Sequence, residues 1–589
     1  MTSIHRAVLS ALAAGALIAS TVAVSSSADA YGGRKNEPGP VSIPQRYLDQ
    51  KIDWQTCSFD GTIKSYLPDA PDTNCATITV PMDWQNPDDH PDIKLAIAMS
   101  KATGTSRGVM LTNPGGPGGA GLTMSASLAI SKPQMFADYD LVGFDPRGFG
   151  KSEQLRCPID SAELEALPTT PDYRERTDQT RKVEVAEAKA FAGACSSTEF
   201  SQFVSTQQTV YDMDFLRALS GSAKTNFIGY SYGTWMGTWY ADTYPERVDR
   251  FVLDSNMNWV GDMQDNAESD SYSFQRRRDD MFFPWVARND AKYTLGDSAA
   301  KVEQRYEEIR AKLVERTKAG GEGSTGVDLD LAVLSPIYSN SRFALAADVI
   351  VAMEKIAFGG ELTPEQEELI NSLDDQVADM APQAKLAAAR EALAPQDAEV
   401  DLGAIGTVVR CNDTPYSTNI QSYLDKADAD AKKYSYIGYL NTVPMCAFWP
   451  YKQRARLVDL QDTPKMLMVQ SEGDPATATE GALESHRSTQ RRTTFVGVTE
   501  EGQHGIYIDG PSPCVETIGD AFVFEGKLPE DMTMCATTPL PGDDKVYPLA
   551  GPLDRYQPKP QADLRRAQRA AVKENKLLAE ARQESVRLF

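Results

Sequence analysis

Short runs rich in aliphatic and β-branched residues recur through the first half of the chain and again near its end. They are Ala76–Val80, Ile93–Ile97, Gly108–Thr112, Tyr139–Phe144, Thr225–Gly229, Arg250–Asp254, Lys465–Gln470 and Thr493–Val498. Several are almost continuously apolar, as expected of strands buried on both faces of a sheet. Stretches of helical period lie between some of them, among them Gln208–Leu219 and Gly233–Tyr244. This alternation predicts an α/β fold, a mostly parallel central sheet with helices on both faces. The rhythm stops after Asp254 and resumes only at Lys465. In the gap, Val302, Tyr306, Ile309 and Leu313 mark one helix face behind a candidate N-cap at Asp297. A Gly-rich link over Gly320–Gly326 and an acidic helix from Thr363 follow. The interruption predicts an inserted, mainly helical cap domain.

The pattern divides the chain into a leader over 1–30, a flexible lead-in or short propeptide over 31–44, the first part of the core over 45–256, the cap over 257–460, the second part of the core over 461–545, and a Pro-rich, then charged tail over 546–589. In the leader, His5 and Arg6 precede an apolar stretch from Ala7 to Val24, and Ala28-Asp29-Ala30 suits signal peptidase, which predicts a secreted, extracellular protein. No later segment is apolar and long enough to cross a bilayer. Cysteine usage agrees with export. Eight cysteines contain no C-x-x-C pair, which argues against zinc ribbons and thioredoxin-like chemistry. Pairing of neighbours gives Cys57–Cys75, Cys157–Cys195, Cys411–Cys446 and Cys514–Cys535 as the simplest map. Among 589 residues, 59 Lys and Arg against 83 Asp and Glu leave a net charge of −24. That balance excludes a general nucleic-acid binder and docking on an anionic membrane.

Candidate chemistry sits in four loops. Gly229-Tyr230-Ser231-Tyr232-Gly233 joins a strand to a helix, the setting in which a sharp turn presents a nucleophilic serine at a helix N-terminus. Asn113-Pro-Gly-Gly-Pro-Gly-Gly-Ala-Gly121 follows the strand ending at Thr112. Its Gly116–Gly121 part spells a dinucleotide fingerprint, with Asp138 and Asp140 downstream. Pro117, however, lacks an N–H where donors should face a pyrophosphate, and nicotinamide cofactors are scarce outside cells. The better reading is an oxyanion loop, with Gly116 N–H and Tyr232 N–H as the donors. Gly148-Phe-Gly-Lys-Ser152 fails as a phosphate loop because Asp145 stands where a glycine is required. An activated serine needs a base, and the base needs an orienting carboxylate. Only four histidines exist. His5 lies in the leader, His90 precedes Ser231, and His486 falls in a polar helix and reads as solvated. His504, in Gly502-Gln-His-Gly505, is the candidate base. Asp474, in Gly473-Asp-Pro475 after the next-to-last strand signal, is preferred to Asp254 as the acid, with Pro475 placed to start a helix.

Taken together, Asn113-Pro-Gly-Gly-Pro-Gly, Asp145-Pro-Arg-Gly148, Gly229-Tyr-Ser-Tyr-Gly-Thr234, Gly473-Asp-Pro-Ala-Thr477 and Gly502-Gln-His504 resemble the secreted tripeptidyl aminopeptidases of Streptomyces and related actinomycetes. The resemblance spans roughly residues 45–545 and departs from the family pattern between Thr477 and Gly481. It implies an α/β-hydrolase serine peptidase related to prolyl aminopeptidases. It further implies Ser231, Asp474 and His504 as the triad, peptides with free N-termini as substrates, and release of tripeptides. Such chemistry needs no metal or organic cofactor, and a monomer suffices. An exopeptidase must hold the substrate ammonium at a fixed distance from the nucleophile, and the acidic insertion offers Asp265, Glu268 and Asp270 for this. A prolyl-type aminopeptidase or a carboxylesterase on the same fold is the alternative.

Overall fold

The computed structural model describes residues 39–554, apart from 70, 321–323, 379–398, 452, 454, 455, 457, 459 and 509. The leader, most of the lead-in and the charged tail therefore lie outside the described residues.

Ten strands form one sheet: β1 (Gln55–Thr56), β2 (Asn74–Pro81), β3 (Asp92–Ser100), β4 (Val109–Asn113), β5 (Asp140–Phe144), β7 (Thr225–Tyr230), β8 (Val248–Asp254), β10 (Met466–Ser471), β11 (Thr493–Thr499) and β12 (Thr533–Ala536). Their spatial order is β1-β2-β3-β5-β4-β7-β8-β10-β11-β12. Pairing is antiparallel from β1 through β3 to β5 and parallel across the remainder. The continuous apolar runs are explained by burial on both sides. Successive side chains point to opposite faces. Leu111, Phe227, Phe251, Met468 and Phe495 pack into one core with the helices Thr206–Leu219 and Tyr232–Thr243. Their immediate neighbours Met110, Ile228, Val252, Leu467 and Val496 pack into the opposite core with the helices Met124–Ser131 and Pro513–Glu525. Parallel pairing brings the C-terminal ends of β4, β7, β8, β10 and β11 to one edge of the sheet, where ligands of such sheets bind.

The insertion is helical and has its own core, including Phe282, Tyr306, Ile309, Leu313, Leu329 and Ile350. Its long helix, Ala299–Lys318, is preceded by Ser298 rather than by the expected cap Asp297, whose carboxylate instead pairs with Lys301 at 2.7 Å. The cap also draws on chain assigned to the core. β6 (Pro158–Asp160) pairs antiparallel with β9 (Glu399–Asp401), and Ala188 of the helix Asp178–Cys195 packs with Tyr423, Leu424, Val443 and Ala447. Residues 157–195 form an excursion closed on itself by a disulfide, which a boundary drawn at 257 does not anticipate. Among the described residues no helix is long and apolar enough to cross a membrane.

Four disulfides join Cys57–Cys75, Cys157–Cys195, Cys411–Cys446 and Cys514–Cys535, the neighbour map expected from the sequence. Each closes a loop whose chain-entropy contribution is about 3–4 kcal/mol. Non-reducing peptide maps should contain these four linked pairs. Replacing Cys411 and Cys446 together by Ala should lower unfolding stability by about that amount; an unchanged denaturation midpoint would contradict it.

Candidate active site

Ser231 stands between β7 and the helix Tyr232–Thr243 with φ 57° and ψ −124°, a conformation that is costly for a residue with a Cβ. Its N–H donates to the carbonyl of Asp254 at 3.0 Å, and its carbonyl accepts the Thr234 N–H at 2.8 Å. Close approach of the Asn113–Gly121 loop to Ser231 is possible because Gly115 has no side chain. A Cβ there would lie 2.6 Å from the Tyr230 carbonyl oxygen and 2.7 Å from Ser231 Cβ, and its φ of +103° also favours glycine. The loop is tied down at both ends. Asn113 Oδ1 accepts the Gly115 N–H at 2.9 Å, and Asp145 accepts the N–H groups of Leu122 at 2.9 Å and Lys151 at 2.8 Å. The Asp145-Pro-Arg-Gly motif is thus a brace, with Arg147 buried against Asp212 at 2.8 Å. Tyr232 N–H belongs to the first turn of its helix, which offers it no intrahelical acceptor. Gly116 lines the adjacent cavity.

The next two loops bring a histidine and a carboxylate to the same edge. Asp474 is fully buried and accepts the N–H groups of Ala476 and Thr477, both at 2.9 Å. Pro475 lies in this turn, and the helix behind it begins only at Thr479. His504 Nδ1 lies 2.9 and 3.0 Å from the two Asp474 carboxylate oxygens. An ionised carboxylate only accepts, so Nδ1 carries the proton and Nε2 is left as the basic nitrogen. Burial disfavours the imidazolium, but the charge and hydrogen bond of Asp474 outweigh it, and the His504 pKa is raised above the usual imidazole value. The Ser231 hydroxyl has no hydrogen-bond partner among the described residues. Such bonds are often long in ligand-free enzymes and tighten in the substrate complex.

Asp254 plays another part. Its Oδ2 accepts the N–H groups of Ile506 at 2.8 Å and Tyr507 at 2.6 Å, while Ser255 Oγ accepts the Gly505 N–H at 2.8 Å. Burial pushes its pKa up to about 7 against the pull of these donors. The His504 loop is also gripped by the cap. The Tyr338 backbone carbonyl accepts the His504 backbone N–H at 2.9 Å, and its ring stands edge-on to the imidazole, with centroids 5.4 Å apart. Behind it, fully buried Arg277 donates to the Ile337 carbonyl at 2.8 Å and to Asn340 Oδ1 at 2.7 Å, and Asn340 Nδ2 donates to Glu501 at 2.8 Å. Burial pushes the Arg277 pKa down to about 10.

A cavity of about 630 Å³ lies between Gly116–Gly119 and the cap. Phe274, Leu331, Leu334, Ile437 and Leu440 supply apolar wall, and Asp270, Glu268, Arg410 and Lys426 supply charge. The three carboxylates expected from the sequence separate clearly. Asp265 is exposed and completes a capping box with Asp262, a D-x-x-D signal that the sequence already displayed. Glu268 accepts from Gln264 at 2.8 Å and faces Lys426 at 3.5 Å. Asp270 alone lines the cavity with no hydrogen bond or ion pair to its carboxylate among the described residues. Burial pushes its pKa up to about 7, with Arg410, His504 and Asp474 close enough to act on it electrostatically. Of the other histidines, His90 pairs with Glu199 at 3.3 Å. His486 is buried rather than solvated, between Thr493 at 2.9 Å and Asp531 at 3.2 Å. β12 follows the His504 loop, so β11 is not the last strand.

Residues 108–340 match the family model described as alpha/beta hydrolase fold, and residues 434–535 match one described as TAP-like protein. The chain is 30% identical to the tripeptidyl aminopeptidase of Streptomyces lividans, over 83% of this chain and 88% of that protein. It is 26% identical to serine protease Hip1 of Mycobacterium tuberculosis, over 84% and 93% of the two chains. It is 27% identical to carboxylesterase B of the same species, over 86% and 94%. This chain, with its serine elbow and its buried Asp–His pair, belongs to the α/β-hydrolase family of serine peptidases that includes the tripeptidyl aminopeptidases of Streptomyces.

Proposed function

We propose that the protein is a secreted exopeptidase that removes tripeptides from the free N-termini of peptides and proteins, with Ser231 as nucleophile, His504 as base and Asp474 as the group that orients it. The observation that carries this reading is Asp270, an uncommitted carboxylate in the cavity within electrostatic reach of His504. Its carboxylate makes no hydrogen bond or ion pair among the described residues, so it is available to pair with a substrate ammonium. Three extended residues span roughly 10 Å from ammonium to scissile carbonyl, which makes the distance from Asp270 to Ser231 a ruler. The relative named tripeptidyl aminopeptidase supports the product length. The four disulfides support export.

In the reaction, His504 Nε2 takes the Ser231 hydroxyl proton as Oγ attacks the scissile carbonyl carbon. The oxyanion accepts hydrogen bonds from Gly116 and Tyr232 N–H, each worth about 3 kcal/mol in the transition state. The C–N bond breaks as Nε2–H protonates the departing amine. Water, deprotonated by His504, then releases the tripeptide from Ser231. The same machinery cleaves esters, and the relative named carboxylesterase B makes an esterase the second reading. Mass spectrometry of products from an unblocked peptide ladder separates them. Tripeptides from free N-termini and none from N-acetylated peptides are expected. Single residues would point to a prolyl-type aminopeptidase, and turnover of nitrophenyl esters alone to an esterase.

The acid side of the pH profile tests both charges. His504 must be neutral to act, and its pKa is raised, so kcat/KM should fall with a midpoint above about 6.5. Asp270 must be ionised to bind an ammonium, and its pKa is near 7. Unblocked peptides should therefore lose kcat/KM more steeply below neutrality than esters without an ammonium. Asp270→Asn should raise KM for unblocked peptides on the order of 10–100-fold, the loss of a charged hydrogen bond of about 1.5–3 kcal/mol, and leave ester turnover near wild type. Equal effects on both substrates would exclude Asp270 as the ammonium site.

A further inference from the structure

Asp254 was the rival to Asp474 for the triad, and the structure gives it a different kind of work. It ends β8, beside the elbow strand β7, and is completely buried with Ser255 and Asn256. Its backbone carbonyl accepts the N–H of Ser231 at 3.0 Å. Its carboxylate accepts two successive N–H groups of the His504 loop, Ile506 at 2.8 Å and Tyr507 at 2.6 Å. Ser255, whose hydroxyl donates to Asp254 Oδ1 at 3.2 Å, takes the N–H immediately before, that of Gly505, at 2.8 Å. The return contact comes from the elbow itself, as Tyr230 OH donates to the Tyr507 carbonyl at 2.9 Å. One residue thus holds the backbone of the nucleophile with its main chain and the backbone of the base loop with its side chain.

We infer that Asp254 is a positioning residue that fixes the His504 loop against Ser231, while Asp474 alone orients the imidazole. The inference rests on the proposed triad. Three donors in a row on one loop, all taken up by Asp254 and Ser255 at the end of β8, leave that loop one register relative to the elbow. Asp254 makes no hydrogen bond to the imidazole, whose Nδ1 is occupied by Asp474. A carboxylate is suited to the task because it accepts two N–H groups on one oxygen and keeps the other for Ser255. Misplacement of a catalytic group by about 1 Å costs on the order of 10²-fold in rate.

The test compares Asp254→Ala, Asp254→Asn and Asp474→Asn by labelling with a serine-directed phosphonate and by kcat, KM and the pH profile on an unblocked tripeptide amide. Asp254→Ala removes the acceptor and should slow both labelling of Ser231 and kcat on the order of 10²-fold, with KM unchanged. Asp254→Asn keeps an acceptor oxygen and should recover most of that loss. The groups facing His504 are Asp474, Asp254, Asp270 and Tyr338. Burial holds Asp254 largely protonated below neutrality, so Asp254→Asn should leave the acid limb of kcat/KM in place, whereas loss of a group that orients the imidazole would move it. Asp474→Asn should fall on the order of 10⁴-fold, as when the orienting acid of a triad becomes an amide. If Asp254→Ala does not fold, Ser255→Ala, which removes the acceptor of the Gly505 N–H, decides, and labelling at the wild-type rate overturns the inference. So does wild-type labelling by folded Asp254→Ala, or Asp254→Asn proving more damaging than Asp474→Asn. Absence of phosphonate labelling of wild-type Ser231 would instead overturn the triad, and this inference with it.

Discussion

The site depends on keeping one serine where its backbone resists being placed. A residue with a side chain held at positive φ outside a glycine costs about 1–3 kcal/mol, and the structure around Ser231 meets that cost with contacts no other conformation would make. The N–H of Ser231 finds the end of β8, its carbonyl caps the following turn, and Gly115 lets the preceding loop close to within contact of its Cβ. The strain has a use. It lifts the hydroxyl clear of the sheet edge and leaves the first N–H groups of the next helix without intrahelical acceptors, the groups that in the proposed reaction stabilise a developing oxyanion.

Three carboxyl groups act on the imidazole of His504, and their surroundings separate their roles. Asp474 touches it and is held by two backbone donors of its own turn. Asp254 is spent on backbone and serves the loop rather than the ring. Asp270 belongs to the cap and faces the cavity. The cap is therefore more than a cover. Through Tyr338, Asn340 and Arg277 it grips the same loop that carries the base, and Gly502 is the residue that allows this, since a Cβ there would lie 2.4 Å from Arg277 Nη1. In the proposed reaction, substrate seated against the cap would press on an element joined directly to His504.

Much of the sheet was legible because double-sided burial writes itself as unbroken apolar runs. β1 and β12 were not, since two and four residues at the margins of a sheet carry too little pattern. The share of residues 157–195 in the cap was hidden for another reason: pairing of Pro158–Asp160 with Glu399–Asp401 joins segments far apart in sequence. At the site, the loops bearing Ser231, Asp474 and His504 could be found because glycines and strand ends mark them. What each further carboxylate does could not. Asp265 carries a local D-x-x-D capping signal, but Glu268 and Asp270 look alike along the chain, and only their tertiary surroundings, a lysine for one and none for the other, distinguish them. His486 was misjudged similarly, because its burial comes from packing against Phe495 and Asp531 rather than from its own helix.

The central claim is that acyl transfer passes through Ser231. Rapid-quench mass spectrometry with an activated tripeptide ester tests it most directly. A transient mass increase equal to one tripeptidyl group, located on the peptide containing Ser231 and missing from Ser231→Ala, is the expected result. Undiminished turnover by Ser231→Ala, or an acyl group carried by any other residue, would contradict it.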